Sequence, residues 1–206
     1  MLQPYGVSSR DYLQRAKRNL RAADDPSGLF YAAFELRSGV EARLQEHLEP
    51  HSHVPDRRKK DWRVPRLGKT AEKAFKLGSK VARVQFLDEG TRNVLSTHFY
   101  TPVTPELRKL AQKLGDYLHA AKLHPPGDAW WANFRTNLEI AAKLLEEATF
   151  GVLLGPPLLN KKTGRLHLPM ELPHGAPKPP ALEVGASTLM DIRYFDSLAD
   201  ARGDAA

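Results

Sequence analysis

The chain has no cysteine, which excludes disulfides, thiolate zinc sites and cysteine nucleophiles. No apolar run approaches the roughly 18 residues that a membrane-spanning helix needs. Met1 to Arg10 holds no apolar stretch of the kind that marks a secretory signal, so a cytoplasmic protein is the default expectation. Also missing are a nucleophile elbow, a His-Glu-x-x-His pair, a dinucleotide-binding glycine pattern and any internal repeat. No residue set in the sequence calls for a cofactor. What remains is an ordinary soluble composition: 206 residues, 41% hydrophobic and 27% charged. That is enough for one medium domain with an appendage, or for two small ones.

The distribution of charge is not ordinary. Ten of the 24 residues from Arg57 to Lys80 are basic, and only Asp61 and Glu72 are acidic. The segment carries +8 while the whole chain carries +7, so everything outside it sums to −1. A localised positive field containing an aromatic, Trp62, suits a polyanion and above all nucleic acid. Arg57, Arg58, Lys59, Lys60, Arg63, Arg66 and Lys69 are the expected phosphate contacts, with Trp62 stacking on a base. The bland alternative is a solvated linker and helix face.

Periodicity predicts a mainly α protein with a core of four to five helices. Ser8 or Ser9 caps a first helix, with Asp11 in its first turn. Asp25-Pro26-Ser27-Gly28 breaks the chain, and Asp25 or Ser27 caps the next helix. That helix, Leu29 to Glu49, carries Leu29, Ala33, Leu36, Val40, Leu44 and Leu48 at helical spacing, with Phe30 and Phe34 widening the stripe. His51 to Lys60 reads as a polar linker and Lys69 to Leu77 as a short third helix. Val81 to Val103 reads as a β-hairpin turning at Asp88-Glu89-Gly90. Thr104-Pro105-Glu106 opens a helix to about Ala121, Pro125-Pro126-Gly127 breaks it, and Asp128 opens another that Gly151 caps. Seven of the sixteen prolines lie between Pro156 and Pro180. The predicted division is therefore a helical domain over 1–150, with its hairpin at about 81–103, and a proline-rich appendage over 151–206. The appendage would hold a small hairpin around Leu158 to Leu168, a strand or short helix within Leu182 to Phe195, and a frayed tail from Ala199.

Arg92-Asn93-Val94-Leu95-Ser96-Thr97-His98, followed by Phe99-Tyr100, forms a second candidate site. Here the chain resembles the HEPN family of helical nucleases and nucleotide-binding modules. The family pattern is an arginine, a polar residue that is often asparagine, and a histidine a few residues on, with an aromatic soon after. The first two helices, including Ala33-Phe34-Glu35-Leu36-Arg37, resemble that family's paired N-terminal helices, and the resemblance spans about 8–121. It implies a homodimer, a setting of bacterial defence or toxin–antitoxin type, and a metal-independent ribonuclease chemistry. His98 would be the acid–base, Arg92 the electrophile and Asn93 the orienting group. Those side chains suit such roles, because imidazole moves protons near neutrality and guanidinium stabilises a charged phosphorane. The family motif lies on a helix, whereas Gly90, Thr91, Val94, Thr97, Phe99 and Tyr100 favour a strand. On a strand the six-residue spacing separates Arg92 from His98 by roughly 20 Å. Helix or strand at Arg92 to Tyr100 thus discriminates catalysis from a non-catalytic module.

Weaker patterns complete the inventory. His47, His51 and His53 could offer metal ligands, but Pro50 interrupts the helix and the simpler account is a helix end, so no metal is expected. Gly68-Lys69-Thr70 lacks the upstream glycine of a phosphate loop. Trp130 and Trp131 suit the core and its rim, and Arg202-Gly203-Asp204 is a tail sequence. A third class of function has the apolar helices and the Pro156 to Pro180 segment binding another protein, with the charge serving solubility alone.

Overall fold

The computed structural model describes residues 5–22, 26–118, 127–160, 163–171 and 188–203. Several sequence expectations fall outside them: Asp25 as a cap, the helix end at Ala121, the break at Pro125-Pro126, the prolines from Pro173 to Pro180, and Asp204. The described residues are mainly helical and fall into two compact units. The first is Met1–Ala74 with Val103–Thr149, and the second is Phe75–Pro102 with Phe150–Ala206.

The first unit is a helical assembly. Helix α1 (Ser9–Arg21) begins with a capping box, in which the Ser8 hydroxyl accepts from the Asp11 N–H while the Asp11 carboxylate accepts from the Ser8 N–H. The Ser8 hydroxyl bond also holds the Asp11 carboxyl below its ordinary range. Helix α2 (Pro26–Leu48) buries the whole expected stripe from Leu29 to Leu48 and packs on α1 and on α5 (Pro105–Tyr117). Of its two extra aromatics, Phe30 packs on Trp131 and Phe134, but Phe34 is exposed. Gly39 is required where it stands, since a Cβ there would lie 2.8 Å from Leu145 and 3.1 Å from the Tyr12 Cβ.

Arg43 of α2 is fully buried; its Nε donates to the Ala148 carbonyl at 2.8 Å, and its guanidinium reaches Glu46 at 3.2 Å. Glu46 in turn accepts from the Ser9 N–H and hydroxyl, both at 2.7 Å. Arg10 donates to the Thr149 carbonyl. Two cations thus satisfy the C-terminal carbonyls of α6 (Asp128–Phe150), where the helix dipole favours positive charge. Helix α5 (Pro105–Tyr117) starts as expected from a threonine cap with proline at its first position. Trp130 and Trp131 sit half-buried in an aromatic cluster with Tyr117 and Phe134.

Two short elements depart from expectation. Asp56–Lys59, read as linker, forms a single helical turn, α3. Helix α4 is Val64–Phe75, five residues earlier at its start than the predicted Lys69. Pro65 falls in the first turn of α4, where its missing N–H costs nothing, so it opens the helix instead of breaking it.

The second unit is built on a three-stranded antiparallel sheet of order β2–β1–β5. Strands β1 (Val81–Asp88) and β2 (Val94–Tyr100) form a hairpin. Its turn is held by the Asp88 carboxylate, which accepts from the Thr91 N–H at 2.7 Å and hydroxyl at 2.9 Å. Strand β5 (Thr188–Phe195) pairs along the other edge of β1. The hairpin therefore groups with the C-terminal residues and not with the helices, unlike the predicted division at residue 150. The reason lies in β1, which pairs with β5 along its whole length from Val81 to Asp88 as well as with β2. Leu198–Gly203, in the stretch expected to fray, forms helix α7, capped by Ser197 and tied to β1 by Arg83, which donates to the Ala201 carbonyl. Strands β3 (Leu158–Leu159) and β4 (Leu166–His167) make the small second hairpin. Gly151, read as a helix cap, serves a close approach: a Cβ there would meet the Phe99 carbonyl carbon at 2.8 Å.

Candidate nucleic-acid interface

Helix α4 sorts its residues cleanly. Val64, Leu67, Gly68 and Ala71 recur on one side, and the first three are buried. Arg66, Lys69, Thr70 and Lys73 follow the i, i+3, i+4, i+7 pattern on the opposite side. At 1.5 Å per residue the stripe from Arg66 to Lys73 runs roughly 10 Å. Arg57 and Arg58 of α3 and Arg63 of the connecting segment join it. Together these residues and Asp61 line a concavity of about 480 Å³. Six cations against one carboxylate leave a formal lining charge of +5.

The carboxylate has a structural task. Asp61 accepts from the Arg63 N–H and Nε at 3.0 Å each and from its terminal nitrogen at 3.1 Å, with Arg66 at 3.8 Å. The Arg63 side-chain and backbone bonds hold the Asp61 carboxyl below its ordinary range. The Asp61 carbonyl accepts from Gln45 of α2, which fixes the segment at its start. The other acid of the basic stretch, Glu72, pairs with Arg108 of α5. A Cβ on Gly68 would collide with the Arg108 side chain, so this glycine serves helix packing and lies inside α4, where Gly68-Lys69-Thr70 forms no phosphate loop.

The concavity lining and the basic residues expected from the sequence differ in part. Lys59 is only 7% exposed, and its Nζ donates to the Glu49 carbonyl at 2.9 Å, just past the end of α2. It caps the end of that helix. Lys60 is exposed but lies outside the concavity lining. Thr70 and Lys73 belong to the lining. Helical phase from Val64 would have found them, had the helix start been read correctly. Trp62 is 61% exposed, with the Arg63 guanidinium 5.7 Å from its ring centre. A second basic concavity of about 600 Å³ is lined by Gln14, Lys17, Arg18, Arg21 and Ala22 of α1 and its end, and there Lys17 is paired with Glu146 at 2.6 Å.

The second predicted site is divided between a turn and a strand. Arg92 and Asn93 lie in the exposed turn before β2, Arg92 with a left-handed φ of 62°. His98 lies on β2 opposite Val84, half-buried, 3.1 Å from the Ser96 hydroxyl and with its ring 5.7 Å from that of Phe86. Burial depresses its imidazole pKa. His98 lies four residues into β2, roughly 13 Å along the strand from Val94, while Arg92 sits in the turn before that strand.

Of the three histidines, His47 and His51 are buried and His53 is exposed. Burial, with the Arg43 charge and His51 adding to it, holds His47 well below its ordinary range, so it is neutral at pH 7. Among the described residues no three His, Asp or Glu side chains are grouped to hold a metal ion, and no helix is long and apolar enough to cross a membrane. No protein-family model, no curated protein and no solved structure matches this chain.

Proposed function

We propose that the chain works in the cytoplasm as a nucleic-acid-contacting module whose α3–α4 face grips the phosphate backbone. The observation that carries this reading is the concavity lined by Arg57, Arg58, Arg63, Arg66, Lys69 and Lys73 against the single carboxylate of Asp61. Arginine suits phosphate through its planar donor fork and lysine as a point charge, and Thr70 adds a hydroxyl at the same wall. The reading takes nothing from Arg92, Asn93 or His98. Ribonuclease chemistry at those residues would need Arg92 of the turn and His98 of β2 to meet one phosphate, which the family resemblance puts across two copies. The HEPN-like identity and its homodimer belong to that sequence resemblance, and phosphate binding by the α3–α4 face does not depend on either.

The test is fluorescence anisotropy with short single- and double-stranded RNA and DNA across a salt series. Four phosphate contacts give a log–log slope of about −3 to −4, which is roughly 50- to 150-fold in affinity between 50 and 200 mM salt. Replacing Arg57, Arg58, Lys69 and Lys73 together by alanine should flatten that slope. Absence of binding at low salt, or an unchanged slope in the quadruple variant, would refute the reading and turn attention to protein partners, the C-terminal segment included.

A further inference from the structure

Phosphates are common to single strands and duplexes, and the concavity by itself does not choose between them. The residue that does is Trp62. The chain has three tryptophans, and the other two, Trp130 and Trp131, are packed into the aromatic cluster with Phe134. Trp62 alone presents most of its indole to solvent. It does so from a segment whose backbone is fixed. Asp61 before it is bonded to Arg63 after it through three separate nitrogens, and the Asp61 carbonyl is held by Gln45. An exposed indole on a fixed segment, flanked on both sides by residues that line the cationic concavity, is a stacking platform beside a phosphate funnel. The Arg63 guanidinium near the ring adds a cation that can stack on the same base.

A duplex cannot use such a platform, because its bases are already stacked on one another and offer their faces to no side chain. Unpaired bases can be splayed onto an aromatic ring. We infer that the α3–α4 face is a site for single-stranded nucleic acid, RNA or DNA, with phosphates in the concavity and a base on Trp62. This inference rests on the phosphate-binding reading above and adds the substrate class to it.

The experiment compares three probes of equal length: a single-stranded oligonucleotide, its duplex, and an abasic strand that keeps the phosphates but has no bases. Each is titrated against the full chain, Trp62→Ala and Trp62→Phe at fixed low salt. Trp62→Ala should weaken the base-bearing single strand by about tenfold to a hundredfold, the range for one aromatic–base stack. It should leave the duplex and the abasic strand unchanged, and it should not alter the salt slope. Trp62→Phe, which keeps a ring, should fall between. Equal loss on all three probes, or no loss on any, overturns the single-strand inference while phosphate binding stands. Failure of the unaltered chain to bind any probe overturns both.

Discussion

Lys59 separates two kinds of basic residue that a charge count treats alike, and its replacement by alanine tests the separation. Its Nζ lies 2.9 Å from the Glu49 carbonyl and 3.7 Å from Asp56, with almost none of the side chain exposed. A hydrogen bond from a charged donor contributes about 1.5–3 kcal/mol, and the helix terminus adds about 0.3–1 kcal/mol. Alanine removes both and strips the carbonyl of this donor, so a loss of about 2–3 kcal/mol is expected. For a chain of 206 residues that corresponds to a Tm lower by about 5–10 °C. Lys59→Met should recover only the packing of the apolar stem. The paired measurement is oligonucleotide affinity against salt, well below the melting transition. Lys59→Ala should keep the slope of the unaltered chain, whereas exposed Arg58→Ala should lower its magnitude by about 0.7–0.9 with little change in Tm. If Lys59→Ala flattens the slope and leaves Tm unchanged, Lys59 is a surface ligand and the packing argument is wrong.

Two further outcomes are expected. Gly151→Ala should destabilise by about 2 kcal/mol, measured by urea unfolding, because the new Cβ meets the Phe99 carbonyl and the Thr101 hydroxyl at 3.1 Å, and backbone yields less readily than a side-chain tip; a gain in stability would show that the close approach is absent. Stability should also fall on acidification below pH 6.5. His47 resists protonation when folded, so the unfolded state binds the extra proton. One such group costs on the order of 1 kcal/mol between pH 7.5 and 5.5, with half-buried His98 adding in the same direction. His47→Gln should remove most of that fall, and an unaltered pH dependence in the variant would refute the assignment.

The parts of the fold that were legible in the sequence are those whose core face is a local pattern. The stripe of α2, the capping box of α1 and the Thr104-Pro105 start of α5 each involve residues within a few positions of one another. The central place of β1 was not legible, since its second partner, β5, lies a hundred residues along the chain and no local rule names it. The start of α4 was not legible for another reason. A proline stops a helix from within but opens one from its first turn, and only the tertiary context of α4 decides between these. That one boundary carried the site with it. With α4 starting at Lys69, Arg66 and Lys73 share no face. With the observed start at Val64 they stand on one stripe.

The electrostatics of that stripe argue against a purely solubilising role. Arg66 and Lys69 are three apart and Lys69 and Lys73 four apart on the same helix, and like charges at those spacings cost about 0.2–0.5 kcal/mol each. The chain has 24 acidic residues with which to offset them. Among the described residues only Asp61 faces the concavity, and its bonds go chiefly to Arg63, while Glu72 turns to Arg108. Solubility would be served as well by interspersed signs, which carry no such repulsion. A partner that brings its own negative charge at close, regular spacing relieves the repulsion and releases counterions as it binds. The unbalanced charge on the wall of α3 and α4 thus supports the proposed phosphate-backbone partner.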